Sequence, residues 1–332
     1  MKTFASLLPA FPAARWWQPR RAGFAALITA VLTLAGAGAV RAQSDNFNDA
    51  DDDDWTRYDP IGTHPAVNTP QNTWSFPDGH YRLQALPTPL PAAGPARVGS
   101  LRQDVVYNNF HQTLDLIDWD PARTNAIGLV ARVQPSPAFG TFSSYVFGYV
   151  TGDNYLAVVK IDRERTRAIA GSLPFPIRLT PGHGYRLTFT GVGNQLTGRL
   201  FDLNDLINPL AEVKATDNSY TSGTAGILAF AVNSGVLSPV DGTVDNYTAT
   251  DRDRPRLKIA WSTVSFMEVL VSWPVYEGEE FVLQRTLNPG AAADWADVTD
   301  NITIDGDRYV HNAGTPIPGE NFFYRLRKTG SP

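Results

Sequence analysis

The chain has 332 residues, 43% of them hydrophobic and 11% aromatic, which is enough to bury a core and too apolar for a disordered chain. It holds no cysteine, which excludes a disulfide framework, a thiolate metal site and a cysteine nucleophile. Formal net charge is −5, but residues 1–42 carry five basic and no acidic side chains, so the rest holds 23 basic against 33 acidic residues, a net of −10. A chain that acidic lacks the basic footprint of a nucleic-acid partner.

Residues 1–42 read as a signal peptide. Arg20-Arg21 close a basic n-region, Ala22 to Ala39 form an uncharged run of small and apolar residues, and Val40-Arg41-Ala42 supplies a small-x-small cleavage pattern. Gln43 is then the first mature residue, and a membrane anchor is the competing reading of the same apolar run. The paired arginines fit a twin-arginine signal poorly, because Pro19 and Gly23 flank them. No second long apolar run follows, so no membrane contact is expected after cleavage.

Residues 43–250 read as one all-β sandwich. Ser44-Asp45-Asn46-Phe47 leads into an acidic turn, Asn48 to Asp54, and then Trp55. Alternating runs at Thr73 to Phe76 and Tyr81 to Gln84 flank Pro77-Asp78-Gly79, a turn in which Pro fixes φ and Gly accepts positive φ. Pro87, Pro89, Pro91 and Pro95 predict an extended loop. Strands are predicted at Phe110 to Trp119 and Ala126 to Val133. The central stretch, Ser143 to Ile161, reads as a hairpin around Thr151-Gly152-Asp153-Asn154. Tyr145, Phe147 and Tyr149 share one of its faces and Val146, Gly148 and Val150 the other, so both faces must be covered or one must meet a ligand. Further strands are predicted at Tyr185 to Thr190, Leu196 to Asp202, Ala211 to Thr216, Gly226 to Ala231 and Thr243 to Thr250. Many short strands with no amphipathic helix is the pattern of a sandwich.

Asp45-Asn46-Phe47-Asn48-Asp49 with Trp55, and Val244-Asp245-Asn246-Tyr247 near the far end, resemble the closing strand pair of concanavalin A-like jelly-roll domains. Tyr185 to Gly191 with Leu196 to Asp202, and Gly223-Thr224-Ala225-Gly226-Ile227, are similar to strands of the laminin-G-like members. The resemblance covers residues 43–250 and implies a jelly-roll fold. It says little about activity, because that superfamily includes lectins, carbohydrate-binding modules, adhesion domains and glycosidases.

Asp251-Arg252-Asp253-Arg254-Pro255 marks a linker at 251–256. Beyond it, Glu268 to Trp273, Glu280 to Arg285 and Asn321 to Arg327 are strand-like. Residues 257–329 suit a small immunoglobulin-like β-sandwich and resemble the fibronectin type III-like C-terminal modules of secreted bacterial proteins.

The glycosidases of the superfamily resemble one another in a Glu-x-Asp-x-x-Glu strand, which this chain lacks. Retaining chemistry needs two carboxyl groups ~5 Å apart, yet Glu164 and Glu212 are the only glutamates between residues 43 and 250. Glu164, in Asp162-Arg163-Glu164-Arg165, reads as a solvated turn residue. Asp115 and Asp118 are three apart, which on a regular strand points them to opposite faces. His64, His80, His111 and His183 accompany no nucleophile elbow and no transition-metal spacing. Asp49, Asp51 and Asp53 alternate as at the start of a calcium loop, without the glycine and glutamate of an EF-hand. Either a structural calcium or a solvated acidic turn accounts for them.

The candidate ligand-binding surface is the aromatic face of Tyr145, Phe147 and Tyr149 with Tyr155, Tyr107 and Trp119, and with Asp115, Lys160 or Arg102 to read hydroxyls. The competing reading places these rings in the sandwich core. The expected function is secreted, non-catalytic binding of an extracellular polysaccharide or cell-surface polymer. A glycosidase or lyase with an unrecognised acidic pair, and a structural or adhesive cell-surface protein, are the alternatives.

Overall fold

The computed structural model describes residues 43–89, 93–232, 238–252, 257–264, 267–275, 281–290, 294–305, 308–317 and 319–329. The expected signal peptide, 1–42, and residues 253–256 of the expected linker lie outside the described residues. Among the described residues there is no α-helix, and no helix is long and apolar enough to cross a membrane.

Among the described residues, fifteen strands run between Gln43 and Asp251. In chain order they are β1 (Gln43–Asp45), β2 (Thr56–Tyr58), β3 (Asn72–Ser75), β4 (Tyr81–Ala85), β5 (Arg97–Tyr107), β6 (Phe110–Trp119), β7 (Asn125–Val133) and β8 (Ser144–Val150), followed by β9 (Tyr155–Asp162), β10 (Arg165–Gly171), β11 (Tyr185–Val192), β12 (Gln195–Asp202), β13 (Ala211–Thr216), β14 (Gly223–Ala231) and β15 (Val240–Asp251). Two antiparallel sheets result. The eight-stranded sheet has the order β13-β12-β11-β6-β15-β4-β3, with β1 also paired to β15; the seven-stranded sheet has the order β10-β9-β8-β7-β14-β5-β2.

The core lies between these sheets because each strand alternates its faces. Leu114, Leu116, Leu187 and Phe189 from one sheet meet Ile127, Leu129, Phe147 and Ile227 from the other, all essentially without exposed surface. Each such side chain contributes ~1.5–3 kcal/mol by burial. The Phe147 and Phe189 rings touch across the gap with centroids 5.7 Å apart.

The β8–β9 hairpin forms as expected, with Gly152 at φ 74° and Asn154 at φ 58° in its turn and Ser144 paired to Ile161. Both of its faces are covered. Tyr145, Phe147 and Tyr149 face the inter-sheet core, while Val146 and Val150 join a second buried cluster with Leu101, Val130, Leu228 and Phe230. The strand is therefore apolar throughout, as a doubly buried strand must be. The Pro77–Gly79 turn, with Asp78 at φ 54° and Gly79 at φ 80°, joins β3 to β4.

Two expectations are corrected here. Residues 163–164 do turn the chain between β9 and β10, with φ of 46° and 68°, but the Glu164 carboxylate is not solvated: it pairs with Arg97 Nε at 2.7 Å and accepts from the Tyr58 hydroxyl. Asp115 and Asp118 do not point to opposite faces either. The β6–β15 register skips Ile117, so Leu116 and Trp119 both enter the core and both aspartates face outward.

Later strands form two smaller sheets. They are β16 (Lys258–Trp261), β17 (Val269–Pro274), β18 (Phe281–Thr286), β19 (Ala296–Asp297), β20 (Ile302–Asp305), β21 (Arg308–Asn312) and β22 (Phe323–Lys328). Their orders are β16-β17-β21-β20 and β19-β18-β22. A separate core of Val271, Trp273, Leu283 and Val298 lies within this part.

Candidate functional site

The site is built where β15 changes partner. One edge of β15 pairs with β4 over Val240–Val244 and with β1 over Tyr247–Ala249; between them the β6 register slips and Asn246 adopts φ 49°. The predicted closing pair is thus present, with Asp45 opposite Tyr247 and Ser44 opposite Thr248.

Beyond β1, an acidic loop returns over this end of the sandwich, held by two aromatic anchors. Phe47 and Trp55 are buried, Phe47 stacks on Tyr81 at 4.5 Å, and Trp55 meets Tyr247 edge-on at 4.8 Å. Asp45 ties both ends of the loop, accepting from the Phe47 amide at 2.8 Å and from Trp55 Nε1 at 2.7 Å. The run of four aspartates then divides. Asp52 turns inward to Arg57, at 2.8 and 2.9 Å, and to the Tyr81 hydroxyl at 2.6 Å. Asp54 takes Arg102 Nη2 at 3.3 Å. Among the described residues, Asp49 and Asp51 accept only from the amides two residues on, at 3.5 and 3.2 Å.

On the outer face of the eight-stranded sheet, Asp115 is held bidentate by Arg186 at 2.7 and 2.9 Å and accepts from Asn246 Nδ2 at 3.0 Å. The hydroxyls of Thr113 and Thr248 bond to each other at 2.8 Å. His80 Nδ1 lies 3.2 Å from Asp245. Burial holds the Asp245 carboxyl above the usual carboxylate range; the Asn246 amide and His80 pull it down and the Asp115 charge pushes it further up.

Loop and sheet face together enclose an open pocket of about 750 Å³. Its wall combines Asp45, Asp49, Asp51, Asp53 and Asp54 with Arg102, Arg186, Asn246, Ser44, Thr113 and Thr248. Such a wall accepts and donates hydrogen bonds to a polyhydroxylated ligand. The expected calcium residues Asp49, Asp51 and Asp53 all line it, but among the described residues no group of three acidic or histidine side chains is placed to hold a metal ion.

The expected aromatic face is corrected. Tyr145 and Tyr149 are wholly buried, and their hydroxyls donate to loop residues, to Asp217 at 2.6 Å and to Asn154 at 2.9 Å. Tyr107 is buried with its hydroxyl on Gln43 Oε1 at 3.1 Å, and Trp119 packs edge-on against Tyr149 at 5.6 Å. These rings bring the core together rather than offering a stacking surface, because the face they share is the one that meets the other sheet. Tyr155 is half-buried beside the second apolar cluster. Asp115 reaches the pocket region only through Arg186 and Asn246.

Arg186, Asn246, Thr113 and Thr248 escaped the sequence reading as a group. Their signal is the run of polar outward positions on β6, β11 and β15, visible only once those strands are known to be neighbours.

No protein-family model matches the chain, and no curated protein matches it. Solved structures do. The chain is similar to a carbohydrate-binding module, CBM66, from Bacillus subtilis at 14% identity and a TM-score of 0.41, covering 60% of this chain and 96% of that one. It is similar to the exoplasmic/lumenal domain of VIP36 in its Ca²⁺/Man3GlcNAc-bound form at 13% identity and a TM-score of 0.42, covering 64% and 90%. A xylan β-1,4-xylosidase from Bacillus halodurans matches at 14% identity and a TM-score of 0.39, covering 63% of this chain and 39% of that one.

Proposed function

We propose that the chain is a secreted, non-catalytic binding protein for an extracellular polysaccharide or cell-surface polymer. In this reading residues 1–42 direct export, residues 43–250 form a concanavalin A-like jelly roll, and residues 257–329 form a fibronectin type III-like module. The observation that carries it is the polar pocket between the acidic loop and the outer sheet face, roomy enough for a sugar and lined by groups that bond hydroxyls.

Three candidate carboxylates are each held in ion pairs, which favours binding over hydrolysis at those positions. Glu164 is engaged by Arg97 and Tyr58, Glu212 by Arg199 and by Lys214 at 2.7 Å, and Asp115 by Arg186. Retaining glycosidases need two carboxyl groups about 5 Å apart flanking the glycosidic bond. A glycan array should therefore retain the protein, and the retained polysaccharide should release no reducing sugar on incubation. A blank array would remove the glycan reading, and sugar release would replace binding with catalysis.

Calcium at Asp49, Asp51 and Asp53 is a subsidiary proposal, supported by the density of carboxylates around the pocket. Calcium should then raise the melting temperature and a chelator lower it, by mass action on the folded state. A melting curve indifferent to both would leave the loop metal-free.

A further inference from the structure

The outer face of the eight-stranded sheet carries one row of side chains that crosses six strands, from β1 to β13. Ser44 pairs with Thr248, Thr248 with Thr113, Thr113 with Thr188, Thr188 with Arg199, and Arg199 with Glu212. Directly paired residues share a face, so these side chains run in a line across the strands. Five gaps of ~4.8 Å between neighbouring strands make the row about 24 Å long.

The row passes through two cavities. Ser44, Thr248 and Thr113 line the acidic-loop pocket. Thr188, Arg199 and Glu212 line a separate cleft of about 270 Å³, and Arg186 lines both. Pocket and cleft therefore meet at Arg186 and at the Thr113–Thr188 pair.

The cleft has a polar floor and apolar sides. Arg199 Nε donates to Glu212 at 2.8 Å along the floor. Phe201, Leu206, Ile207 and Pro209 supply apolar lining from the sandwich, and Val275 and Ile304 supply it from the later strands. Ile207 is 67% exposed and Ile304 47%, so both are open to a ligand rather than packed away. Ligand sites concentrate at such junctions between separately packed parts of a chain.

We infer that the cleft is a second subsite for the same polysaccharide, and that the chain binds an extended run of sugar units lying along the row. A pyranose ring has C–H faces that suit Phe201, Ile207 and Ile304, and a rim of hydroxyls that suits Thr188, Arg199 and Glu212. This rests on the glycan reading above and adds the form of the ligand: a linear segment spanning both cavities, not a single terminal sugar. Contact with the second cavity is intramolecular once the first is filled, so a long chain gains affinity that a short one lacks.

The test is isothermal titration of the full mature chain with oligosaccharides cut from the polysaccharide that the glycan array retains, separated into di-, tetra-, hexa- and octasaccharides. Affinity should rise at least about tenfold, or about 1.4 kcal/mol, from disaccharide to hexasaccharide. Ile207→Asp with Ile304→Asp puts charge on the two exposed apolar side chains and should remove that rise without lowering the melting temperature. An affinity already complete at the disaccharide, or a rise that survives in the folded double variant, overturns the inference and leaves the acidic-loop pocket as the glycan site. A blank array overturns the glycan reading and the inference with it.

Discussion

The Tyr145 hydroxyl donates to Asp217 Oδ1 at 2.6 Å, joining the start of β8 to the loop between β13 and β14. Tyr220 returns its amide to the same hydroxyl at 3.1 Å, and its ring lies 5.2 Å from that of Tyr145. Tyr145 is thus a strap inside the sandwich, with its polar tip satisfied.

That strap has an acid signature. Burial alone would raise the Asp217 carboxyl, but hydrogen bonds from Ser219 and Tyr145 and the Lys160 charge outweigh it and hold the group at about 2, below its ordinary 3.8. A depressed carboxyl contributes stability that is present above its unfolded value and lost as pH falls through its folded one. Between about pH 4 and pH 2 the protein should lose ~1–2 kcal/mol through this group, and Asp217→Asn should flatten that part of the curve. Urea unfolding across the window checks it; identical acid limbs for both proteins would remove Asp217 from the account.

Tyr145→Ala with Tyr149→Ala should unfold the domain rather than yield a folded protein deficient in binding. Each buried aromatic lost costs ~3–5 kcal/mol, against the ~5–15 kcal/mol a domain has. A double variant with native circular dichroism and an unchanged melting temperature would return these rings to the surface.

Gly198 on β12 faces Phe147 so closely that a Cβ there would lie 2.2 Å from the ring. Gly198→Ala should destabilise by ~1–3 kcal/mol through overpacking. Phe147→Leu in the same chain should recover part of that, because contacting sites are not additive. Full tolerance of the alanine would mean that the sheets do not approach there.

How much was legible follows from which physical signal each element carries. The β8–β9 hairpin, the Pro77–Gly79 turn and β6 announce themselves through alternation and turn chemistry. β5 does not: Gly99, Ser100, Arg102 and Gln103 interrupt its apolar pattern, and it is a strand because β14 and β2 pair with it on both sides. The face of the hairpin that meets the other sheet is a tertiary fact, and the tyrosines were ambiguous for that reason. The Ile117 bulge is equally silent, being one residue more on β6 than on β15. The acidic loop was legible as a cluster of carboxylates; its sheet-face partners, Arg186 and Asn246, lie more than a hundred residues away in the chain.

Ser44 offers the most direct test of where the glycan binds. It is exposed on β1, lines the pocket and contributes nothing to the core, so Ser44→Trp fills the pocket and leaves the fold alone. Affinity electrophoresis of the wild type, Ser44→Trp and Tyr155→Ala through gels containing the retained polysaccharide compares the two surfaces. Ser44→Trp should migrate unretarded with a wild-type melting temperature, while Tyr155→Ala should be retarded as strongly as the wild type. Retardation that survives Ser44→Trp and disappears in Tyr155→Ala would contradict binding in the pocket.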